Sequence, residues 1–285
     1  MTHTINKIDI PRSAFDQATN NQQPIVNTPA PANIKRLTII IPVYNEGKTI
    51  TLLLERINAV KLIRSIEKEL IIVNDCSTDN TEAVINDYIA NLENATLSYF
   101  KYIRHDVNHG KGAAIHTGII KATGEYILVQ DADLEYDPGE YNTLLKPITL
   151  ASADVVYGSR FMGGNPHRIL FFWHSIGNKF LTYISNMFSN LNLTDMNTCY
   201  KLFRSDILKM IPLHEKRFGF DPEVTVKMAK IPNIKIYEVG ISYYGRTFAE
   251  GKKIGWRDGF RSIYCTLKYS LFTTTAFKNV NIQHV

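Results

Sequence analysis

The sequence predicts an α/β fold: a mostly parallel central sheet flanked by helices, with amphipathic helices toward the C-terminus. Three observations carry this. Short apolar runs of strand length alternate with stretches of helical periodicity through residues 37–161. Polar, chemistry-bearing clusters follow each strand-like run. Beyond that region, short runs give way to longer apolar stripes at helical spacing.

Residues 1–35 are rich in Asn, Gln, Thr and Pro, as in NNQQPIVNTPAPAN. Such a stretch buries too little apolar surface to offset its ordering entropy, so a disordered lead-in is expected. Order is expected from LTIIIPV, a continuous apolar run that suits a strand buried on both faces. Ile50, Leu53, Leu54 and Ile57 then recur at helical spacing. ELIIVND reads as a second buried strand and STDNTEAVINDYIANL as a second helix, capped by Ser77 or Thr78. SYFKYIR reads as a third strand, residues 112–122 as a helix, YILVQ as a fourth strand and DVVYGSR as a fifth. This alternation implies parallel strands with right-handed crossovers. Ligands of such sheets sit beyond the carboxyl ends of the strands, where the polar clusters fall.

Further on, Ile169, Phe172, Trp173, Ile176, Phe180, Tyr183, Ile184 and Met187 trace one amphipathic helix. Phe260, Ile263, Tyr264, Leu267 and Leu271 trace another, with Arg257, Arg261 and Lys268 along its flank. An apolar face beside a basic edge suits a helix lying in a membrane interface, or one packed on the sheet with its charges in water. Composition is that of a globular chain, 45% hydrophobic and 21% charged, with a net charge of +5. Residues 246–278 hold seven basic and two acidic side chains, which matches that excess and suits phosphates or an anionic membrane surface. Cys76, Cys199 and Cys265 are odd in number and far apart, which argues against a disulfide framework or a structural zinc and for a reducing, cytoplasmic setting. MTHTINKIDIPRSAF lacks the apolar centre of a signal peptide. No run approaches the length of a membrane span, and no nucleic-acid partner is expected.

The candidate chemistry begins at Asp131-Ala132-Asp133, which follows YILVQ. Alternate residues of an extended segment face one way, so both carboxylates can meet one cation. Such hard oxygen ligands suit Mg²⁺ or Mn²⁺ bridging a diphosphate. Glu135 is placed to join them, or is a solvated loop acid. Pro42-Val43-Tyr44-Asn45-Glu46 ends the first strand and offers an aromatic and acceptors to a base and ribose, or simply a capped turn. Asp75 can accept from a base N–H, or cap a helix. In Asn108-His109-Gly110-Lys111-Gly112 the glycines permit close backbone approach. Lys111 meets a phosphate at a helix N-terminus, unless this is an ordinary turn.

Taken in order, PVYNE, NDCSTDNT, NHGKGAAIHTG, DADLEYDP, YGSRF, TCYKLFR and YYGRTFAEGKKIGWRDG resemble the family 2 glycosyltransferases, and most closely the dolichyl-phosphate mannose and dolichyl-phosphate glucose synthase group. The resemblance covers about residues 37–272. It implies a GT-A fold, a nucleotide-sugar donor and a divalent metal. It also implies that Pro42, Tyr44, Glu46 and Asp75 line the nucleotide and that Lys111 closes over it. Asp131 and Asp133 are then the donor and metal carboxylates, with Glu135 beside them. Arg160 resembles an arginine that binds the acceptor phosphate, and Arg246, Lys252 and Lys253 sit where that group carries a basic loop. The domain limits expected are 1–35 for the lead-in, 36–245 for the GT-A domain and 246–285 for a basic, membrane-associating end.

The resulting expectation is inverting transfer of a hexose from a UDP- or GDP-sugar to a polyprenyl phosphate, by an enzyme peripheral on the cytoplasmic face of an anionic membrane. Asp131, Asp133 and Arg160 are the candidate catalytic residues. Asp221 and Glu223 are reserve bases for a hydroxyl acceptor, the case of a soluble transferase building a glycan or glycolipid. A sugar-nucleotide pyrophosphorylase would want a Gly-rich, Arg-containing loop after the first strand, and a nicotinamide dehydrogenase GxGxxG; PVYNEGKT supplies neither.

Overall fold

The computed structural model describes residues 34–92, 99–163, 168, 172–246 and 256–272. Most of the expected lead-in, and both Lys252 and Lys253, lie outside the described residues. Five strands come where the apolar runs put them: β1 (Arg36–Val43), β2 (Glu67–Asn74), β3 (Phe100–Arg104), β4 (Tyr126–Val129) and β5 (Val155–Ser159). Two more, β6 (Lys201–Arg204) and β7 (Ile236–Gly240), were not foreseen. KLFR begins and ends on a cation and IYEVG carries a central glutamate, so neither reads as a buried apolar run.

The sheet order is β3-β2-β1-β4-β6-β5-β7. β1 pairs in parallel with β2 on one side and β4 on the other, so the chain reverses its direction of travel across the sheet at β1. A crevice opens at such a switch point, beyond the carboxyl ends of β1 and β4. β6 is antiparallel to both β4 and β5. Its register therefore sets the residues before Lys201 beside the residues after Val129. Residues 198–200 thus join the floor of the crevice.

The helices in chain order are α1 (Ile50–Ala59), α2 (Thr81–Ala90), α3 (Lys111–Lys121), α4 (Tyr141–Ala151), α5 (Phe172–Ser189), α6 (Ser205–Met210), α7 (Phe220–Ala229) and α8 (Trp256–Phe272). Ile39, Ile40 and Ile41 are fully buried, because β1 is covered on both faces. α3 lies so close to β1 that a Cβ on Gly118 would come within 2.4 Å of Ile40 Cγ2. The second helix starts later than expected. Ser77 and Thr78 do not cap it but bond across to Asn45, while the Asp79 carboxylate accepts the Thr81 N–H at 3.0 Å.

The two amphipathic helices are inverted. On α5, Phe172, Trp173, Ile176, Phe180, Tyr183 and Met187 are exposed, and Thr182 and Ser185 are buried. The cause is the loop before β6, which docks on the polar side. Asn186 bonds both the N–H and the C=O of Leu193, and Thr182 Oγ1 accepts the Met196 N–H. On α8, Phe260, Tyr264, Leu271 and Phe272 are exposed. Together the two helices carry more than half of the large exposed apolar side chains among the described residues. Of the three flanking cations, Arg261 and Lys268 turn inward to the buried Glu215, at 2.7 and 3.5 Å. The expected free basic edge is therefore largely spent on an internal anchor. No helix among the described residues is long and apolar enough to cross a membrane.

Glu69 is the buried charge that ties the sheet edge together. Its carboxylate accepts from Thr38, Lys101 and both the N–H and hydroxyl of Thr123. Burial alone would push this carboxyl up, but those four donors pull it down to about 2. A lowered carboxyl contributes stability above its unfolded range, which is lost as pH falls toward about 2. Glu69→Gln is expected to cost roughly 2 kcal/mol at neutral pH, because the donors lose charged acceptors. Urea melts of both proteins across acidic pH check this: the gap should close as the wild-type carboxylate titrates.

Candidate active site

A cavity of ≈ 430 Å³ opens at the switch point. Pro42, Tyr44, Glu46, Asp75, Lys111, Asp131, Asp133, Glu135, Arg160 and Arg246 all line it. The ten expected donor-, metal- and acceptor-site residues that lie among the described residues are thus brought to one place.

The strand ends hold these side chains through backbone turns that few residues adopt. Asn45, Cys76 and Leu134 have φ of 54°, 59° and 63°, each just past β1, β2 or β4. Such conformations are costly for residues with side chains and tend to mark functional turns. The turn after β2 is closed by the buried Asn74, whose Oδ1 accepts the Ser77 N–H at 2.9 Å while its Nδ2 donates to Tyr102. The left-handed Leu134 folds Glu135 back, so that its N–H donates to Asp133 Oδ1 at 3.1 Å. Before this turn stands Gln130, fully buried. Its Oε1 accepts from the hydroxyls of Tyr141 and Tyr200, both at 2.7 Å, and its Nε2 donates to the Asp131 carbonyl.

Several residues are already engaged, and this changes what each can do. Asp75 accepts the His109 N–H at 2.9 Å and the Gly110 N–H at 2.6 Å, with His105 Nδ1 at 2.8 Å from the same carboxylate. Most of its acceptor capacity fixes the loop before α3. Arg160 is held bidentate by Asp195, Nε to Oδ2 at 2.6 Å and the terminal nitrogen to Oδ1 at 2.7 Å. An incoming anion would meet only the remaining edge of that guanidinium. Glu135 does not stand free beside the other carboxylates. It accepts from the Tyr243 hydroxyl at 2.7 Å and the Arg246 N–H at 2.6 Å, and its carbonyl accepts the Tyr244 N–H. Glu223 is wholly buried, pairs with Lys227 at 2.5 Å and is absent from the cavity wall. Asp221 does line the cavity, paired with Lys201 at 2.5 Å.

Lys111 Nζ lies 2.6 Å from Asp131. Burial works against the ammonium, but Asp131, Cys199 and Asp221 hold it above the usual lysine range. Asp133 behaves in the opposite way. Burial, then repulsion from Asp131 and Glu135, pushes its carboxyl up to about 7 despite the Arg246 guanidinium. The cluster is therefore short of positive charge. Hard oxygen donors with unmet demand for a cation fit Mg²⁺ or Mn²⁺. No group of three or more acidic, His or Cys side chains forms a complete cage among the described residues. Mg²⁺ is usually bound by one or two protein carboxylates with substrate phosphates completing the shell.

The sequence did not single out Asp195, Arg217, Cys199, or the cavity-lining Asn178 and Leu181 of α5 and Gly259 and Ser262 of α8. They come from segments with no strand-end motif to flag them. The glycines of the Lys111 turn admit a second stretch of backbone. The backbone of residues 215–217 presses on them: a Cβ on Gly110, at φ +99°, would lie 2.6 Å from Lys216 O, and one on Gly112 would lie 2.3 Å from Glu215 O. The Ala113 N–H is taken by Lys216 O at 2.9 Å.

Residues 38–211 match the family described as glycosyl transferase family 2. The chain belongs to that family. As a family 2 glycosyltransferase it has the GT-A fold, a mostly parallel sheet flanked by helices. Among curated relatives it is 26% identical over 250 residues to a dodecaprenyl-phosphate galacturonate synthase of Rhizobium johnstonii, covering 88% of this chain and 71% of that one. It is 31% identical over 236 residues to the dolichyl-phosphate beta-glucosyltransferase ALG5A of Trichomonas vaginalis, covering 79% and 70%. Among solved structures, glucosyl-3-phosphoglycerate synthase from Mycobacterium tuberculosis, crystallised with Mn²⁺, UDP and phosphoglyceric acid, superposes with a TM-score of 0.62. That match has 14% identity over 85% of this chain and 80% of the other, and it speaks to the fold alone.

In this transferase, Gly112→Ala is expected to displace residues 215–217, and with them the Glu215 anchor of α8. Overpacking of this kind costs about 1–3 kcal/mol. Calorimetry should show a melting point lower by several degrees, and titration with UDP or GDP should show weaker binding, since Lys111 sits on the same turn.

Proposed function

We propose that this glycosyltransferase moves a hexose, with inversion, from a UDP- or GDP-sugar to a polyprenyl phosphate at the cytoplasmic face of a membrane. The observation that carries the proposal is the double use of α5 and α8. Each lines the catalytic cavity with one face and exposes an apolar, aromatic stripe on another. An acceptor with an anionic head and a lipid tail needs that pairing; a soluble glycan does not. The names of the two curated relatives support the same acceptor class.

On this proposal Asp131 and Asp133 hold Mg²⁺ or Mn²⁺, which when bound neutralises the departing nucleoside diphosphate. Pro42, Tyr44 and Glu46 face the nucleotide, Asp75 shapes its wall, and Lys111 sits beside the first carboxylate to meet the diphosphate. The free edge of Arg160, with Arg217 nearby in the same cavity, receives the acceptor phosphate. That phosphate is already anionic and needs no strong base. This agrees with Glu223 lying outside the cavity and Asp221 being held by Lys201. With Arg261 and Lys268 drawn to Glu215, the exposed apolar stripes rather than a basic edge carry the docking in this reading.

Two outcomes test this. Asp133→Asn is expected to cut transfer on the order of 10² or more while leaving the melting curve intact, and excess chelator should do the same to the wild type. Full activity in chelator rejects the metal role. Changing Phe172, Trp173 and Phe180 together to Ser, all exposed, is expected to abolish flotation with anionic vesicles and slow transfer to a polyprenyl phosphate. Donor hydrolysis by water should stay unchanged. If the wild type ignores vesicles and glycosylates a water-soluble hydroxyl acceptor at full rate, the soluble-transferase alternative replaces this one.

A further inference from the structure

Arg246 was expected to meet the acceptor phosphate, but its contacts assign it elsewhere. Its terminal nitrogens lie 3.1 Å from Glu46 Oε1, 3.3 Å from Glu46 Oε2 and 3.2 Å from Asp133 Oδ2. The guanidinium therefore sits on the carboxylate that the proposed function gives to a divalent metal. It is delivered there by Glu135, which grips the Tyr243 hydroxyl and the N–H groups of Tyr244 and Arg246. Glu135, expected as a further metal ligand, thus spends its oxygens on the strap that carries the arginine. The fit of the guanidinium is incomplete. Its buried Nε has no hydrogen-bond partner among the described residues and lies 4.0 Å from Glu135. A buried donor left unpaired costs free energy and offsets part of what the carboxylate contacts contribute to this position.

We propose that Arg246 is a resident cation of the Glu46–Asp133 carboxylates, and that it and the divalent metal exchange on Asp133, so that metal capture depends on the nucleoside diphosphate. The inference rests on the metal part of the proposed function and not on the identity of the acceptor. A guanidinium and a divalent ion cannot both lie against one carboxylate oxygen without strong like-charge repulsion. Without nucleotide, the metal must displace Arg246 and finds only one or two protein carboxylates. With a diphosphate present, phosphate oxygens complete the metal's shell and offer the released guanidinium a new, bidentate partner. Arg246 is then a positioning residue that suppresses unproductive metal binding and follows the charge when the donor arrives. Lys111 on Asp131 is the corresponding partner of the other carboxylate.

The test measures Mn²⁺ binding by the loss of the free-ion electron paramagnetic resonance signal, with no acceptor and no turnover. In the absence of nucleotide, Arg246→Gln is expected to bind Mn²⁺ at least about tenfold more tightly than the wild type, because a competing cation is gone. Adding UDP or GDP should tighten Mn²⁺ binding much more in the wild type than in R246Q. Arg246→Lys keeps the charge and should stay near the wild type, which separates the loss of a cation from a general disturbance of the strap. Equal or weaker Mn²⁺ binding by R246Q without nucleotide, with R246K unchanged, overturns the exchange. A wild type that binds no Mn²⁺ even with either diphosphate overturns the metal reading beneath it as well. Neither result touches the choice of acceptor.

Discussion

Carboxylates crowded at the end of a buried strand must find positive charge, and most of the site follows from that demand. Glu46, Asp131, Asp133 and Glu135 face one partly enclosed cavity. Left alone, such a cluster would take up protons, and Asp133 already leans that way. The fold supplies Lys111 from the first turn of α3 and Arg246 from the segment after β7, one to each member of the Asp131–Asp133 pair. The glycine turn, the pressed backbone of residues 215–217 and the Glu135 grip on residues 243–246 all serve to hold these two cations at the right depth.

The same backbone that holds Lys111 also reaches the outer helices. Residues 215–217 contact Gly110 and Gly112 on one side, and the Glu215 carboxylate holds Arg261 and Tyr269 of α8 on the other. α8 packs on α5, and both contribute to the cavity wall. A displacement of α8 would therefore be felt at the Lys111 turn through a few short contacts. The inverted helices expose aromatic stripes at an energetic cost that a free-standing soluble protein has no reason to bear. On the proposed function that cost is recovered when the stripes enter a membrane interface, and the surface that docks is rigidly joined to the surface that binds phosphate.

Much of this was legible in the sequence, and the limits are physical. Strand-length apolar runs found β1, β2, β4 and β5 because strands covered on both faces leave no polar alternation to confuse the pattern; the half-buried edge strand β3 showed through its aromatic and aliphatic residues. β6 and β7 escaped because KLFR begins and ends on a cation and IYEVG carries a central glutamate, so neither reads as an apolar run. Spacing and strand ends found the cavity residues, since the sheet's topology alone brings those ends together. What the sequence left hidden is which charges pair. Asp195 on Arg160, Lys201 on Asp221 and Arg246 on Asp133 each join segments far apart in the chain, so no local pattern announces them. The direction of the two amphipathic stripes was hidden for a related reason. Periodicity shows that a helix has two faces; only the loop docked by Asn186 and Thr182 decides which one turns inward.

Pairing also decides what an acceptor can be. An arginine already bidentate to a buried aspartate keeps its position but loses most of its net charge, so Arg160 orients an anion more than it attracts one. Attraction then falls to cations that are free to answer when charge arrives. On the proposed exchange, a divalent metal entering with a diphosphate roughly balances the donor's own charge, and the guanidinium it displaces turns to that same diphosphate. On that proposal the pairs around Asp133 couple the metal to the donor, and the choice of acceptor falls to the remaining edge of Arg160 and to the apolar helices.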